Sequence, residues 1–248
     1  MTLFNLKDKN AIITGSSRGI GKAIAYRMAE HGAKVIITSR KLDACEAVAK
    51  EINDTFGEGH ATAISCNISD KEQLKNLYKK SLDFCGNIST LVCNAAINPY
   101  FGPSNNIPDE AFEKIMKSNV QSNFWLCNEV LPDMIKMKNG SIIIISSIAG
   151  LRGNSMLGAY AISKAADSQL ARNISVEYGR DNIRANCISP GLIKTDFARA
   201  LWENESILKS MTAKAALKRI GMPDEIAGAA VYLACLLYTS DAADEQQR

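Results

Sequence analysis

The 248-residue chain has two histidines, seven cysteines without a C-x-x-C pair, no tract of one charge sign and no apolar run near bilayer length. Each shortage removes a class of protein. His31 and His60 form no H-E-x-x-H pattern and no cluster with cysteine, so no metal site is expected, and both read as structural, at a helix end and a strand start. Lys and Arg total 29 against 26 Asp and Glu, with basic pairs such as Lys79-Lys80 standing alone, so no nucleic-acid partner is expected. The longest apolar stretch, Ile226 to Tyr238, falls short of the ~20 residues that span a bilayer, and charges occupy the N-terminus where a secretory signal needs an apolar segment. Cys45, Cys66, Cys85, Cys93, Cys127, Cys187 and Cys235 are scattered and odd in number, which predicts buried reduced thiols. The expectation is a soluble cytoplasmic protein.

What remains is an ordinary globular composition, 46% hydrophobic and 22% charged with a net charge of +3. β-rich runs at Ala11 to Thr14, Lys34 to Thr38, Ala61 to Cys66, Thr90 to Asn94, Ser141 to Ser146 and Arg184 to Ile188 alternate with amphipathic stretches of helical length. Most are near-continuous apolar runs, the mark of parallel strands covered on both faces. The pattern predicts an α/β fold, a Rossmann-type doubly wound parallel sheet. No Pro- or Ser-rich linker and no repeat interrupts it, so one domain is expected over residues 1–235.

The first strand runs into Thr14-Gly15-Ser16-Ser17-Arg18-Gly19-Ile20-Gly21 and then an apolar-periodic helix. Glycines there let the backbone approach a pyrophosphate, held by free N–H groups at the helix start. Gly15 to Gly19 also satisfies G-x-S-x-G, the nucleophile elbow of a serine hydrolase. That reading needs a late histidine, and neither histidine comes late enough to serve as base.

Tyr160 and Lys164 lie four residues apart on one helical face. An unperturbed phenol titrates near 10, and a neighbouring ammonium favours phenolate, giving an acid or base usable near neutrality. Taken alone, the spacing reads as a surface pair. Ser146 and Ser147 end a strand at the sheet edge where α/β folds bind ligands, and Ser147 stands thirteen residues before Tyr160. Strand-end serines are often turn formers only. Together with Asn94-Ala95-Ala96, Asn119, Asn186 and Pro190-Gly191, these segments resemble the short-chain dehydrogenase/reductase family over about residues 5–235. Within it, Asn94 to Gly102 and Pro190 to Thr195 look most like the dehydrogenase/reductase member 4 type carbonyl reductases and bacterial relatives.

The resemblance implies reversible hydride transfer between a nicotinamide cofactor and a carbonyl or secondary alcohol. Tyr160 would be the acid-base group, Ser147 would hydrogen-bond the substrate oxygen, Lys164 would tune the tyrosine and hold the nicotinamide ribose, and Asn119 would support a water relay. Cofactor contacts are implied at Gly15, Ser17, Arg18, Gly19, Ile20, Gly21, Ser39, Arg40, Asn67, Asn94, Ala95, Tyr160, Lys164, Pro190, Gly191, Ile193 and Thr195. The second strand ends Thr38-Ser39-Arg40-Lys41 with no carboxylate for a ribose 2′-OH, while Arg40 and Arg18 suit a 2′-phosphate, so NADP(H) is favoured over NAD(H). Their alternative is a pair of solvated loop arginines. Asn67 replaces the family's usual aspartate beside the adenine. The partner is a small carbonyl or alcohol. A 3-oxoacyl carrier-protein reductase and a non-catalytic nucleotide-binding protein are the alternatives.

Apolar or small residues on more than one face of Asn123 to Met137 (Phe124, Trp125, Leu126, Val130) and of Ala159 to Tyr178 (Ala161, Ala165, Ala166) predict a homodimer or homotetramer. Phe197 to Lys218 reads equally as a pocket lid or as helical core. Residues 236–248 depart from the family, which continues into a last strand, so that edge strand is expected to be missing.

Overall fold

A computed structural model describes residues 4–235. Six strands form one parallel sheet: β1 (Asn10–Thr14), β2 (Lys34–Thr38), β3 (Ala61–Ala63), β4 (Thr90–Cys93), β5 (Gly140–Ile145) and β6 (Ile183–Ile188). Their order is β3-β2-β1-β4-β5-β6. Consecutive side chains on a strand point to opposite faces, so the continuous apolar runs feed two cores at once. Ile13, Val35, Ile37, Ile143 and Ile145 pack with α1 (Gly19–Glu30), α2 (Leu42–Phe56) and α9 (Pro223–Ala234) on one side. Ile12, Ile36, Leu91, Ile142 and Ile144 pack with α3 (Lys71–Cys85), α5 (Ser122–Met137) and α6 (Gly158–Tyr178) on the other. Breaking either face would expose wholly buried isoleucines, each contributing roughly 1.5–3 kcal/mol by burial.

The order in which successive strands are laid down reverses at β1, which has β2 on one side and β4 on the other. The C-terminal ends of β1 and β4 thus frame the crevice where doubly wound sheets take ligands. The remaining helices are α4 (Asp109–Met116), α7 (Arg199–Trp202) and α8 (Glu205–Ala213). A π-helical turn, Lys117–Gln121, links α4 to α5.

Strand ends match the sequence reading within about a residue except at β3, which stops at Ala63 instead of Cys66. Its partner β2 ends at Thr38, so the ladder has nothing regular to pair with, although Cys66 N–H still reaches the Ser39 carbonyl at 2.9 Å. Phe197 to Lys218 forms helical turns, yet α7 and α8 bury no residue, so this stretch is not helical core. The cysteines are unpaired, five of them buried. Among the described residues β6 stands at the sheet margin; the expectation for residues 236–248 lies outside them. No helix among the described residues is long and apolar enough to cross a membrane.

Candidate active site

The glycine loop joins β1 to α1 at the crevice. Gly15 and Gly19 have φ of +66° and +57°, where a side chain strains the backbone. At Gly21 the constraint is contact: a Cβ would lie 2.5 Å from the Gly15 carbonyl oxygen and 2.6 Å from Asn94 Nδ2. Helix α1 starts at Arg18 without a side-chain cap and with no acid in its first turn, leaving its N–H groups to the loop. An anion there meets unspent donors and the positive end of the helix dipole, so these residues fit the pyrophosphate of a dinucleotide. Ser17 and Ile20 are half-buried along the loop.

Asn94, expected to touch the cofactor, braces this loop: its Nδ2 donates to the carbonyls of Thr14 (2.8 Å) and Gly15 (3.2 Å). The N–H groups of Asn94 and Ala95 both donate to Thr14 Oγ1. Ser16, which the sequence did not single out, ties β1 to β2 by donating to the Ile13 carbonyl and accepting from Thr38 N–H.

At the end of β2, Ser39 Oγ lies 3.1 Å from Cys45 Sγ, and Arg40 is exposed. Arg18 is exposed as well but sits 3.3 Å from Asp196. Asn67 is exposed with its Oδ1 accepting from Ser69 N–H. After β6, the Pro190 carbonyl accepts from Ile148 N–H, Gly191 is exposed and Ile193 is buried. Thr195 approaches the glycine loop, its Cγ2 standing 3.4 Å from where a Gly19 Cβ would be.

Tyr160 and Lys164 share a face of α6, the ammonium 5.9 Å from the phenol ring centroid. Lys164 is 2% exposed and donates to the Ile145 carbonyl at the end of β5 (2.8 Å). Ser146 Oγ donates to the Lys164 carbonyl (2.7 Å), so the strand end and the helix are stitched together one residue from Ser147. Ser147 is half-buried, its Oγ accepting from Ala149 N–H. Phe197 lies against Tyr160 with ring centroids 6.1 Å apart.

Asn119 sits in the π-helical turn, a deviation that re-aims a side chain within an otherwise continuous helix. Its amide is clamped to the loop after β4, accepting from Ile97 N–H (2.9 Å) and donating to the Ile97 carbonyl (3.0 Å) and Ser163 Oγ (3.1 Å). The sequence reading missed Asp167 and Asn123. Asp167 is fully buried, Oδ2 accepting from Lys164 Nζ at 2.9 Å and Oδ1 from Asn123 Nδ2 at 2.9 Å. Burial pushes the lysine's pKa down, but the Asp167 charge and hydrogen bond, with Tyr160 adding, outweigh it and hold the ammonium above its ordinary range. The signal available was the K-x-x-D spacing, which continues the Tyr160–Lys164 face.

A sequence profile of the short chain dehydrogenase family matches residues 9–206. The chain belongs to this family. Dehydrogenase/reductase SDR family member 4 of Bos taurus is 38% identical over 229 residues, 92% of this chain and 81% of its own length. The namesake from Oryctolagus cuniculus is 39% identical, with 92% and 87% covered. Among solved structures, 7 alpha-hydroxysteroid dehydrogenase complexed with NADH and 7-oxo glycochenodeoxycholic acid matches at a TM-score of 0.91 and 34% identity, covering 96% of this chain and 92% of its own. As a short-chain dehydrogenase the chain is an oxidoreductase that moves hydride, and its parallel sheet with flanking helices is Rossmann-type.

Proposed function

We propose that this short-chain dehydrogenase is an NADP(H)-dependent enzyme interconverting a small carbonyl compound and its secondary alcohol, with Tyr160 as the acid-base group. The observation that carries the proposal is a buried Lys164 ammonium beside the Tyr160 ring, fastened to the strand end next to Ser147. When bound, a nicotinamide cofactor supplies or accepts the hydride at the carbonyl carbon. In the reducing direction Tyr160 Oη gives its proton to the carbonyl oxygen and Ser147 Oγ donates a hydrogen bond to that oxygen, holding it over the phenol. The Lys164 ammonium favours the phenolate left behind and offers a donor to the nicotinamide ribose. Clamped at both ends of its amide, Asn119 leads from the loop after β4 towards this face.

NADP(H) preference is supported by the absence of a carboxylate at the end of β2 and by exposed Arg40, which forms no ion pair among the described residues. Arg18 is the weaker candidate, because Asp196 already competes for it. Phe124, Ile162 and Val176 are 51%, 53% and 74% exposed on α5 and α6, large apolar surfaces that support pairing with a second copy in a homodimer or homotetramer. Light scattering checks this, a monomer at micromolar concentration counting against it. Unpaired cysteines support a reducing compartment, the cytoplasm in our reading. The test of activity is a panel of ketones, aldehydes and 3-oxoacyl thioesters with each reduced cofactor. We expect kcat/KM at least about tenfold higher with NADPH; oxidation of neither cofactor by any carbonyl contradicts the proposal.

A further inference from the structure

Only 2% of Lys164 is exposed, and a buried cation persists only when an anion and hydrogen-bond acceptors compensate for its lost hydration. The groups facing this site are few. Tyr160 and Asp167 come from α6 and Cys187 from β6; Cys93 from β4 also senses Lys164 and Asp167, with Cys127 of α5 behind it. Arg172 reaches Cys187. Burial pushes the Cys187 thiol up to about 12, and the Cys127 hydrogen bond and burial push Cys93 well above its ordinary value, so neither thiol supplies negative charge near neutrality. Asp167 is the remaining anion: burial pushes its carboxyl up, and the Lys164 charge, with hydrogen bonds from Lys164 and Asn123, opposes that shift. Its geometry is built: one oxygen on Lys164 Nζ, the other on the Asn123 amide. That amide also donates to the Asn119 carbonyl at 2.7 Å. A single side chain therefore joins the carboxylate beside the lysine to the backbone of Asn119.

We propose that Asp167, oriented by Asn123, is a positioning residue that keeps Lys164 charged and aimed between Ile145 and Tyr160, so that the proton-transfer face depends on a carboxylate one turn beyond it. The inference rests on the function proposed above only for the use made of that charge. Tyr160, Lys164 and Asp167 lie at i, i+4 and i+7 of one helix, so the carboxylate sits on the far side of the ammonium from the phenol. Asp167 can hold the lysine without touching the substrate.

The test follows the charge itself. Lysine labelled with ¹³C at Cε reports ammonium deprotonation by chemical shift, and comparison with Lys164→Met assigns the resonance. In the unaltered chain the Lys164 midpoint should lie above that of an ordinary lysine; in Asp167→Asn it should fall by about two pH units or more, because burial remains and the compensating charge is gone. The pH profile of carbonyl reduction should move with it, its alkaline limb starting at lower pH in Asp167→Asn, while Asp167→Glu, which keeps the charge, restores part of the span. A Lys164 midpoint unchanged within half a unit overturns the proposal, whether or not any carbonyl is reduced. Should Asp167→Asn fail to fold, the double variant Lys164→Met/Asp167→Leu decides: it should fold and melt cooperatively, since removing both partners leaves no stranded ion. A double variant that also fails to fold overturns the pairing as the reason for Asp167.

Discussion

Replacing Gly21 with alanine should weaken the protein and its cofactor site together, against the usual rule that alanine improves a helix. In α1 the exchange brings a propensity gain of at most ~1 kcal/mol. Against it, the new methyl would sit 2.5 Å from the Gly15 oxygen and 2.6 Å from Asn94 Nδ2, so the loop or Asn94 must retreat by at least half an ångström. Overpacking of this kind costs roughly 1–3 kcal/mol. Retreat also endangers the two bonds from Asn94 to Thr14 and Gly15, at roughly 0.5–1.5 kcal/mol each. The losses win, and we expect about 2 kcal/mol of destabilisation, a fall in Tm of roughly 4–8 °C for a chain this long. NADPH affinity should drop at least about tenfold, because the same movement displaces the N–H groups at the head of α1. Gly228 is the control: it lies inside α9 and an added Cβ meets nothing within 4 Å, so Gly228→Ala should raise stability by ~0.5–1 kcal/mol and leave NADPH binding alone. Urea melts and cofactor fluorescence titrations read both variants. Equal or higher stability of Gly21→Ala, with unchanged NADPH affinity, would refute the contact argument.

Arg40→Asp should shift cofactor preference towards NADH by at least about tenfold in the ratio of kcat/KM values, because like charges ~4 Å apart repel by about 4 kcal/mol at an effective dielectric near 20 before screening; an unchanged ratio shows that Arg40 does not meet the 2′-phosphate. Glu225, hydrogen-bonded by Arg219 and by Met222 N–H, is held at about 2, below its ordinary value. A depressed carboxyl contributes stability above its unfolded pKa and loses it as pH falls through the folded one. Glu225→Gln should therefore be less stable than the parent at pH 7, with the gap closing between about pH 4 and 2; denaturant midpoints across that range check it, and a gap independent of pH refutes the assignment.

Strand positions were legible because apolar residues run continuously through Ile12-Ile13, Ile36-Ile37 and Ile142 to Ile145, a pattern only a doubly covered sheet buries on both faces. Tyr160, Lys164 and the glycines were legible because their chemistry is local in sequence. Other features depend on partners distant in sequence. Nothing near Asn94 announces that its amide is spent on the glycine loop some 80 residues earlier. An aspartate in a helix ordinarily faces water, and the buried Asp167 is held by Lys164 and Asn123, the lysine itself being tied to the end of β5. The π-helical turn at Asn119 inserts a residue's worth of rotation that no apolar period marks. Arg18 was readable as a basic loop residue, but its pairing with Asp196, distant in sequence, was not.

The most direct measurement of the central claim uses NADPH deuterated at the transferable C4 position, a ketone that the chain reduces, and mass spectrometry of the alcohol formed, run in parallel with Tyr160→Phe. Deuterium on the carbinol carbon, with turnover reduced ~10²- to 10⁴-fold in Tyr160→Phe while NADPH binding persists, is the predicted result. An unlabelled alcohol, or Tyr160→Phe turning over near the parent rate, would contradict the account.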